Sequence, residues 1–297
     1  MSPFRCLLLL GVLTSAALAE PLPALRVVTL NTVLTEIAGE VGGGDVRVSG
    51  LVQPDVDPHT FEPSAAEIRA VVDADLVLAS GLGLESYLDR LVANSGGHGR
   101  ILSVGDSLPV ILSRDPAFGP AVPGGEKDPH WWHSIDNVIA ATEAVRREFT
   151  RLRPAAAAGF AQRAAAYHRR LLALQAWVAT EIAMLPPPRR ELLTSHNAFG
   201  YFARDYGFRV HAISGLSTDG EPDARHLAGL IDLVRARGIK AVFVEASVNP
   251  RFISNLVGET GVRLGGTLYA DGLGQGEAAT YAGMVRHNVL TLVEGLR

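Results

Sequence analysis

Residues 155–185 run for about thirty positions with almost no helix breaker and stop at Pro186-Pro187-Pro188. A helix over this run would be about 45 Å long at 1.5 Å per residue, longer than most globular helices and long enough to reach across two domains. Ala161, Ala164, Ala165, His168, Leu171, Leu172, Gln175 and Val178 lie near one stripe of it, the expected buried face. The alternative is a kink near Gly159 that divides it into two shorter helices.

On both sides of this run, short apolar strands alternate with helices. Before it, strands are expected at 26–30, 46–52, 75–80 and 101–104. The helices between them carry clear start signals. Asn31 precedes Val33, Leu34, Ile37, Ala38 and Val41 at helical spacing, and Ser64 with Glu67 has the form of a capping box. Helices are also expected at 84–94 and 136–151, whereas the Pro- and Gly-rich residues 113–127 read as loop. After the long run, strands are expected at 191–195, 209–213, 241–245 and 263–269. They alternate with helices at 197–206, 223–237, 250–260 (capped by Asn249) and 280–296. Such alternation means βαβ units, so the fold class is α/β with parallel sheets flanked by helices. The length favours two domains, and the two halves look alike although no tight sequence repeat is visible.

The first residues have another purpose. Arg5, the apolar run 6–18 and Ala17-Leu18-Ala19 before Glu20 read as a secretory signal peptide over residues 1–19. Pro21 and Pro23 argue against a buried N-terminal helix, and Cys6 stands ahead of the apolar run instead of ending it, unlike a lipoprotein signal. Cys6 is the only cysteine, so the exported chain is expected to have neither a disulfide nor a thiolate metal site. Any metal site must use His, Asp or Glu. No second apolar run approaches membrane-spanning length. Loss of Arg5 takes the net charge from −4 to −5, and with no basic stripe this excludes a nucleic-acid binder.

Two Asp-Pro-His turns stand out, Asp57-Pro58-His59 and Asp128-Pro129-His130. Proline fixes φ and lacks an N–H, so each histidine follows a stiff turn. In parallel sheets, ligands bind beyond the carboxyl ends of the strands. The residues expected there are His59, His130 (after a loop), His196, Glu245 and Asp271. Three imidazoles and a carboxylate make a near-complete tetrahedral set for Zn²⁺, while sulfur-free ligation also admits Mn²⁺ or Fe²⁺. Taken singly, each residue has a plainer role: His196 as a helix cap, Asp271 in an Asx turn before Gly272, Glu245 in an ion pair. Their coincidence at one edge favours the metal. His98 and His168 are expected in solvent, and His211, His226 and His287 in structural roles. His133 is expected behind the ligands, with ligation as its alternative, and Trp131 and Trp132 as packing that keeps the site dry.

With these residues placed, the chain resembles the cluster A-I solute-binding proteins of bacterial ABC importers for zinc and manganese. The resemblance spans nearly all of the exported chain. It rests on the two Asp-Pro-His turns with Phe61-Glu62-Pro63 and Trp132, and on the run from Thr194 to Phe202. It extends to Tyr206-Gly207, Glu221-Pro222, Phe243-Val244-Glu245 and the run from Tyr269 to Gly274. It implies two lobes joined by one long backbone helix with the metal between them: a first lobe over 20–150, the helix over 151–187 and a second lobe over 188–297. It assigns ligation to His59, His130, His196 and Asp271. Members with Glu at the position of His196 look like manganese receptors and those with His look like zinc receptors.

Two features depart from the pattern. Residues 113–127 lack the histidines of the insertion many zinc receptors carry, which points to loading by a separate periplasmic zinc chaperone. Trp132-His133-Ser134-Ile135-Asp136 replaces the usual Trp-Leu-Asp-Pro. The resemblance implies a monomeric periplasmic receptor handing Zn²⁺ to an inner-membrane ABC permease, with little hinge closure and with release through loops around Asp271 or His130. A manganese or iron(II) receptor of the same family is the alternative. A zinc hydrolase would need an open coordination position and a base, for which Glu245 is the only candidate. A haem or siderophore receptor would need an aromatic cleft that these strand ends do not supply, and a surface adhesin would want a lipid-anchoring cysteine.

Overall fold

The structure, a computed structural model, describes residues 23–94, 100–113, 125–218, 224–245 and 251–297. The expected signal segment 1–19, His98, Glu221-Pro222, the Asn249 cap and most of the 113–127 run lie outside the described residues.

The first half alternates as expected. Strand β1 (Leu25–Thr29) leads into α1 (Thr32–Gly42), and Asn31 caps that helix by accepting the Val33 N–H at 2.8 Å. Strand β2 (Val46–Gly50) is followed by α2 (Ala65–Val72), where Ser64 and Glu67 complete the capping box. Strand β3 (Leu76–Ala79), α3 (Leu88–Asn94) and β4 (Arg100–Ser103) follow. Helix α3 begins four residues later than the apolar pattern suggests. The Glu85 side chain turns back to accept the Ser80 and Gly81 N–H groups at 2.6 and 3.1 Å, and Gly81, Leu82 and Gly83 all take positive φ. This local turn competes with helix and wins.

Loop was expected throughout 113–127, but its two ends pair. Strands β5 (Leu112–Ser113) and β6 (Glu126–Lys127) form a short antiparallel ladder, too brief to leave an alternating pattern. Helix α4 (Ile135–Leu152) then leads through a tight turn at Pro154–Ala156 into α5 (Ala157–Ala183). Helix α5 runs through Gly159 without interruption, so the two-helix alternative does not occur. Its buried face is Phe160, Ala164, Tyr167, Leu171, Leu174, Val178 and Ile182. Of the expected stripe, Ala164, Leu171 and Val178 are inside, whereas Ala161, Ala165, His168 and Leu172 face solvent. The many alanines blur the phase, and the large residues at steps of three and four set it.

The second half contains β7 (Glu191–His196), α6 (Gly200–Tyr206), β8 (Arg209–Ser214) and α7 (Ala224–Arg237). It continues with β9 (Ala241–Glu245), α8 (Arg251–Thr260), β10 (Arg263–Leu268) and α9 (Tyr281–Leu296). Both four-stranded sheets are parallel, in the orders β2-β1-β3-β4 and β10-β9-β7-β8. Counted within each half these are the same order, 2-1-3-4, so the likeness of the halves is topological.

The halves share their interior. One buried apolar cluster extends from Leu25 and Val27 through Phe149, Phe160 and Leu174 to Tyr281 and Leu296. Helix α5 packs against α1 and α4 on one side and α9 on the other. Glu36 of α1 accepts the Tyr167 hydroxyl at 2.8 Å and the Tyr281 N–H at 2.6 Å, tying α1, α5 and α9 at one point. Burial raises the Glu36 carboxyl above its usual range against the opposing pull of these donors. Adjacent leucines on α5 should therefore behave very differently. Leu174→Ala is expected to cost about 2–5 kcal/mol through lost burial and a cavity, and Leu172→Ala less than about 0.5 kcal/mol, read as denaturant midpoints of the whole chain. Equal shifts for the two would show that the buried face of α5 is misassigned.

Candidate metal centre

Each Asp-Pro-His turn is closed by its own aspartate. Asp57 Oδ1 accepts the His59 N–H at 2.8 Å, and Asp128 Oδ1 accepts the His130 N–H at 2.9 Å. A carboxylate two residues ahead of the histidine thus closes an Asx turn over the proline, which explains why the tripeptide occurs twice. The two differ in what else the aspartate does. Asp128 Oδ1 also accepts His130 Nδ1–H at 2.8 Å, which leaves Nε2 with its lone pair pointing inward. Asp57 Oδ2 instead accepts the Thr218 hydroxyl at 2.6 Å, from the second half. Asp128 is buried against Gly200, where a Cβ would come within 2.6 Å of its Oδ2. Burial pushes the Asp128 carboxyl up to about 7.

The second half supplies the other two groups from the ends of β7 and β10, which flank β9. His196 closes β7 and Glu245 closes β9 beside it. Glu245 accepts the His196 backbone N–H at 3.1 Å and, in a short contact, its Nδ1–H. Glu245 is therefore behind His196, not among the donors that point inward. Asp271 follows β10 on a loop held from the first half by four hydrogen bonds. Ala270 O accepts Trp132 Nε1–H and His133 Nε2–H, both at 2.8 Å. Asp271 O accepts the Asn31 amide at 3.3 Å, and the Leu273 N–H donates to the Thr32 hydroxyl at 2.7 Å. Thr32 approaches so closely that a Cβ on Gly272 would lie 2.4 Å from its oxygen.

These elements bring His59, His130, His196 and Asp271 to one point, with one donor atom from each within 4.8 Å of the others. His59 Nε2 and His196 Nε2 are each 3.2 Å from His130 Nε2. Asp271 Oδ1 stands 3.5, 3.7 and 3.2 Å from the Nε2 atoms of His59, His130 and His196. A tetrahedral ion with bonds of about 2.0–2.1 Å has ligand–ligand edges of about 3.3–3.4 Å, so these spacings suit one small cation at the centre. All four side chains are buried, His130 and His196 completely. Trp131 and Trp132 are fully buried beside them, with Trp132 edge-on to His130.

The charges fit a cation as well. Burial, His196 and His59 together hold His130 far below its normal range, so it is a neutral donor. Burial would also depress His196, but Glu245 and Asp271 outweigh it and raise the ring well above 6.5. Burial would raise Asp271, yet His196 and His59 hold it well below the usual carboxylate range. Within this cluster it is His196, between Glu245 and Asp271, whose charged form is favoured.

The remaining histidines sort themselves. His133 is not a donor to this centre. It stacks on Phe199 at 4.4 Å, donates to Ala270 O, and burial brings its ring down to about 4. His211 bonds Glu191, His226 the Ala212 carbonyl and His287 the Thr267 carbonyl. His168 is exposed. Sequence reasoning did not anticipate the orienting roles of Asp57, Asp128, Asn31 and Thr32, although an aspartate two residues before each of two histidines was a signal for the first pair.

Glu245→Gln should weaken metal binding by about 10–100-fold while leaving the fold intact, because it removes the carboxylate that orients and strengthens His196. Competitive titration with a metal chelator measures this; unchanged affinity would mean that His196 needs no such partner.

Comparisons with known proteins identify the family of the chain. The family model for the periplasmic component A of zinc-uptake complexes, ZnuA, matches residues 27–295. The manganese-binding lipoprotein MntA of Bacillus subtilis is 36% identical over 281 residues, covering 92% of this chain and 90% of that protein. The zinc-binding protein TroA of Treponema pallidum is 34% identical over 310 residues, covering 98% and 97%. The solved structure of the periplasmic TroA superimposes with a TM-score of 0.85 at 32% identity, over 92% of this chain and 99% of that one. The chain belongs to the ZnuA family, the metal-binding solute receptors of ABC importers, and is not an enzyme.

Proposed function

We propose that this protein is a high-affinity periplasmic Zn²⁺ receptor that delivers its ion to an ABC permease in the inner membrane. His59, His130, His196 and Asp271 are the ligands in this reading. The observation that carries it is the spacing of three imidazole Nε2 atoms and one carboxylate oxygen at tetrahedral edges. Three nitrogens and one oxygen suit zinc, whereas harder ions favour more oxygen donors. Four protein ligands close the coordination sphere and leave no position for a reacting water. Capture and delivery follow from that, not turnover. Residues 1–19 direct export, and the receptor acts as a monomer. The absence of histidine from 113–127 supports loading by a separate periplasmic zinc chaperone.

A manganese or iron(II) receptor is the second reading, favoured by the manganese-binding name of the MntA relative and the iron-binding name of YfeA from Yersinia pestis. Competitive affinities for zinc and manganese, on the parent and on His196→Glu, separate the two. The zinc reading expects one tightly held zinc that manganese displaces weakly, and a shift toward manganese in His196→Glu. Manganese preference in the parent would overturn it.

Binding should also release protons. His196 carries its extra proton above pH 6.5 in the metal-free centre, and a metal must displace that proton from Nε2. Protonation therefore competes with metal, and affinity falls as pH falls. Calorimetry in buffers of different ionisation enthalpy should find roughly one proton released per zinc at pH 7. Zinc uptake with no proton release would show that His196 is already neutral.

A further inference from the structure

Among the described residues, two cavities are lined by donors of the centre, and they are very unequal. On the Asp271 side, a cavity of about 20 Å³ is lined by Thr32, Gln53, Val56 and Asp271. That is room for about one water. On the His59 side, a cavity of about 480 Å³ is lined by His59, Leu82, Leu84, Ser86, Lys127 and Leu216 among the described residues. Its walls come from both halves, and His59 is the donor that faces it. His130 and His196 have no exposed surface.

The four donors also differ in how firmly they are held. A carboxylate takes both the ring and the backbone N–H of His130, and another does the same for His196. The Asp271 loop carries four hydrogen bonds from the first half. His59 meets the other donors through Nε2, but behind the ring it is fastened through its backbone: its N–H by Asp57, and its carbonyl by the Ser86 hydroxyl at 3.1 Å. Among the described residues no carboxylate fixes its Nδ1, so its ring rotates at the lowest cost.

We propose that the metal ion enters and leaves through the cavity over His59, and that His59 is the last ligand to close on the ion and the first to let go. This inference rests on the metal-receptor reading, and it places exchange at His59 instead of the loops around Asp271 or His130. His130, His196 and Asp271, each fastened from behind, form the floor of the site, and the His59 ring is its door. Leu216, from the second half, lines the same cavity, so a larger side chain there would narrow the passage.

A passage alters the rates of both directions together and leaves the equilibrium alone. The test is stopped-flow zinc association and chelator-driven release on the full exported chain, with Zn²⁺ alone as the probe. Leu216→Trp should slow association and release by the same factor, about ten-fold or more, with Kd unchanged. Leu216→Ala should speed both. Val56→Trp, which narrows the Asp271 side, should change neither rate. The inference is overturned if Leu216 variants leave both rates as they were, or if Val56→Trp slows exchange. Failure of the receptor reading looks different, because the parent would then hold no stoichiometric metal at all.

Discussion

The structure depends on holding three imidazole tips and a carboxylate oxygen within 4.8 Å of one another, away from water. Such a cluster is unfavourable by itself, because polar groups lose hydration and the imidazoles compete for few protons. It persists because its members are fastened from behind. Asp128 and Glu245 take the outer nitrogens of His130 and His196, and that sets the tautomer that presents Nε2 inward. Asp271 is kept ionised by the imidazoles it faces. Inward-facing lone pairs beside an ionised carboxylate are what a small cation needs, which explains the fit.

The same fastening accounts for how the halves are joined. Much of what aligns Asp271 belongs to the other half: Asn31, Thr32, Trp132 and His133 all bond its loop. Thr218 reaches the opposite way to Asp57. With a common apolar interior and α5 packed on helices of both halves, a wide opening of the lobes would break these bonds and expose buried surface together. Interiors of this density rearrange locally more readily than they stretch. Movement within the site therefore belongs to side chains with few restraints.

Most of the architecture was legible in the sequence because each half obeys simple rules. Strand–helix alternation, the Asn31 and Ser64 caps and the placement of donors beyond strand ends all have local signatures. The residues that orient the donors were harder. Glu245 could be placed at a strand end, but not recognised as the partner of His196, since that depends on β9 lying beside β7, a pairing made across 49 positions. The buried face of α5 was half misread because alanine is compatible with either side of a helix. The late start of α3 came from Glu85 folding back on its own backbone, which periodicity does not report. His133 was distinctive in sequence, but its partner is the carbonyl of Ala270, and a carbonyl leaves no mark in a sequence.

Both sheets share the strand order 2-1-3-4, and each is built from one contiguous half of the chain. No strand pairing of either sheet needs a partner from the other half. The first half brings His59 and His130, the second His196 and Asp271, and neither owns more than two donors. A chain that has finished one sheet only offers a pair of the four donors. In the receptor reading proposed above, a held ion would thus report that both halves have formed and docked, so the cargo would double as a check on completed folding.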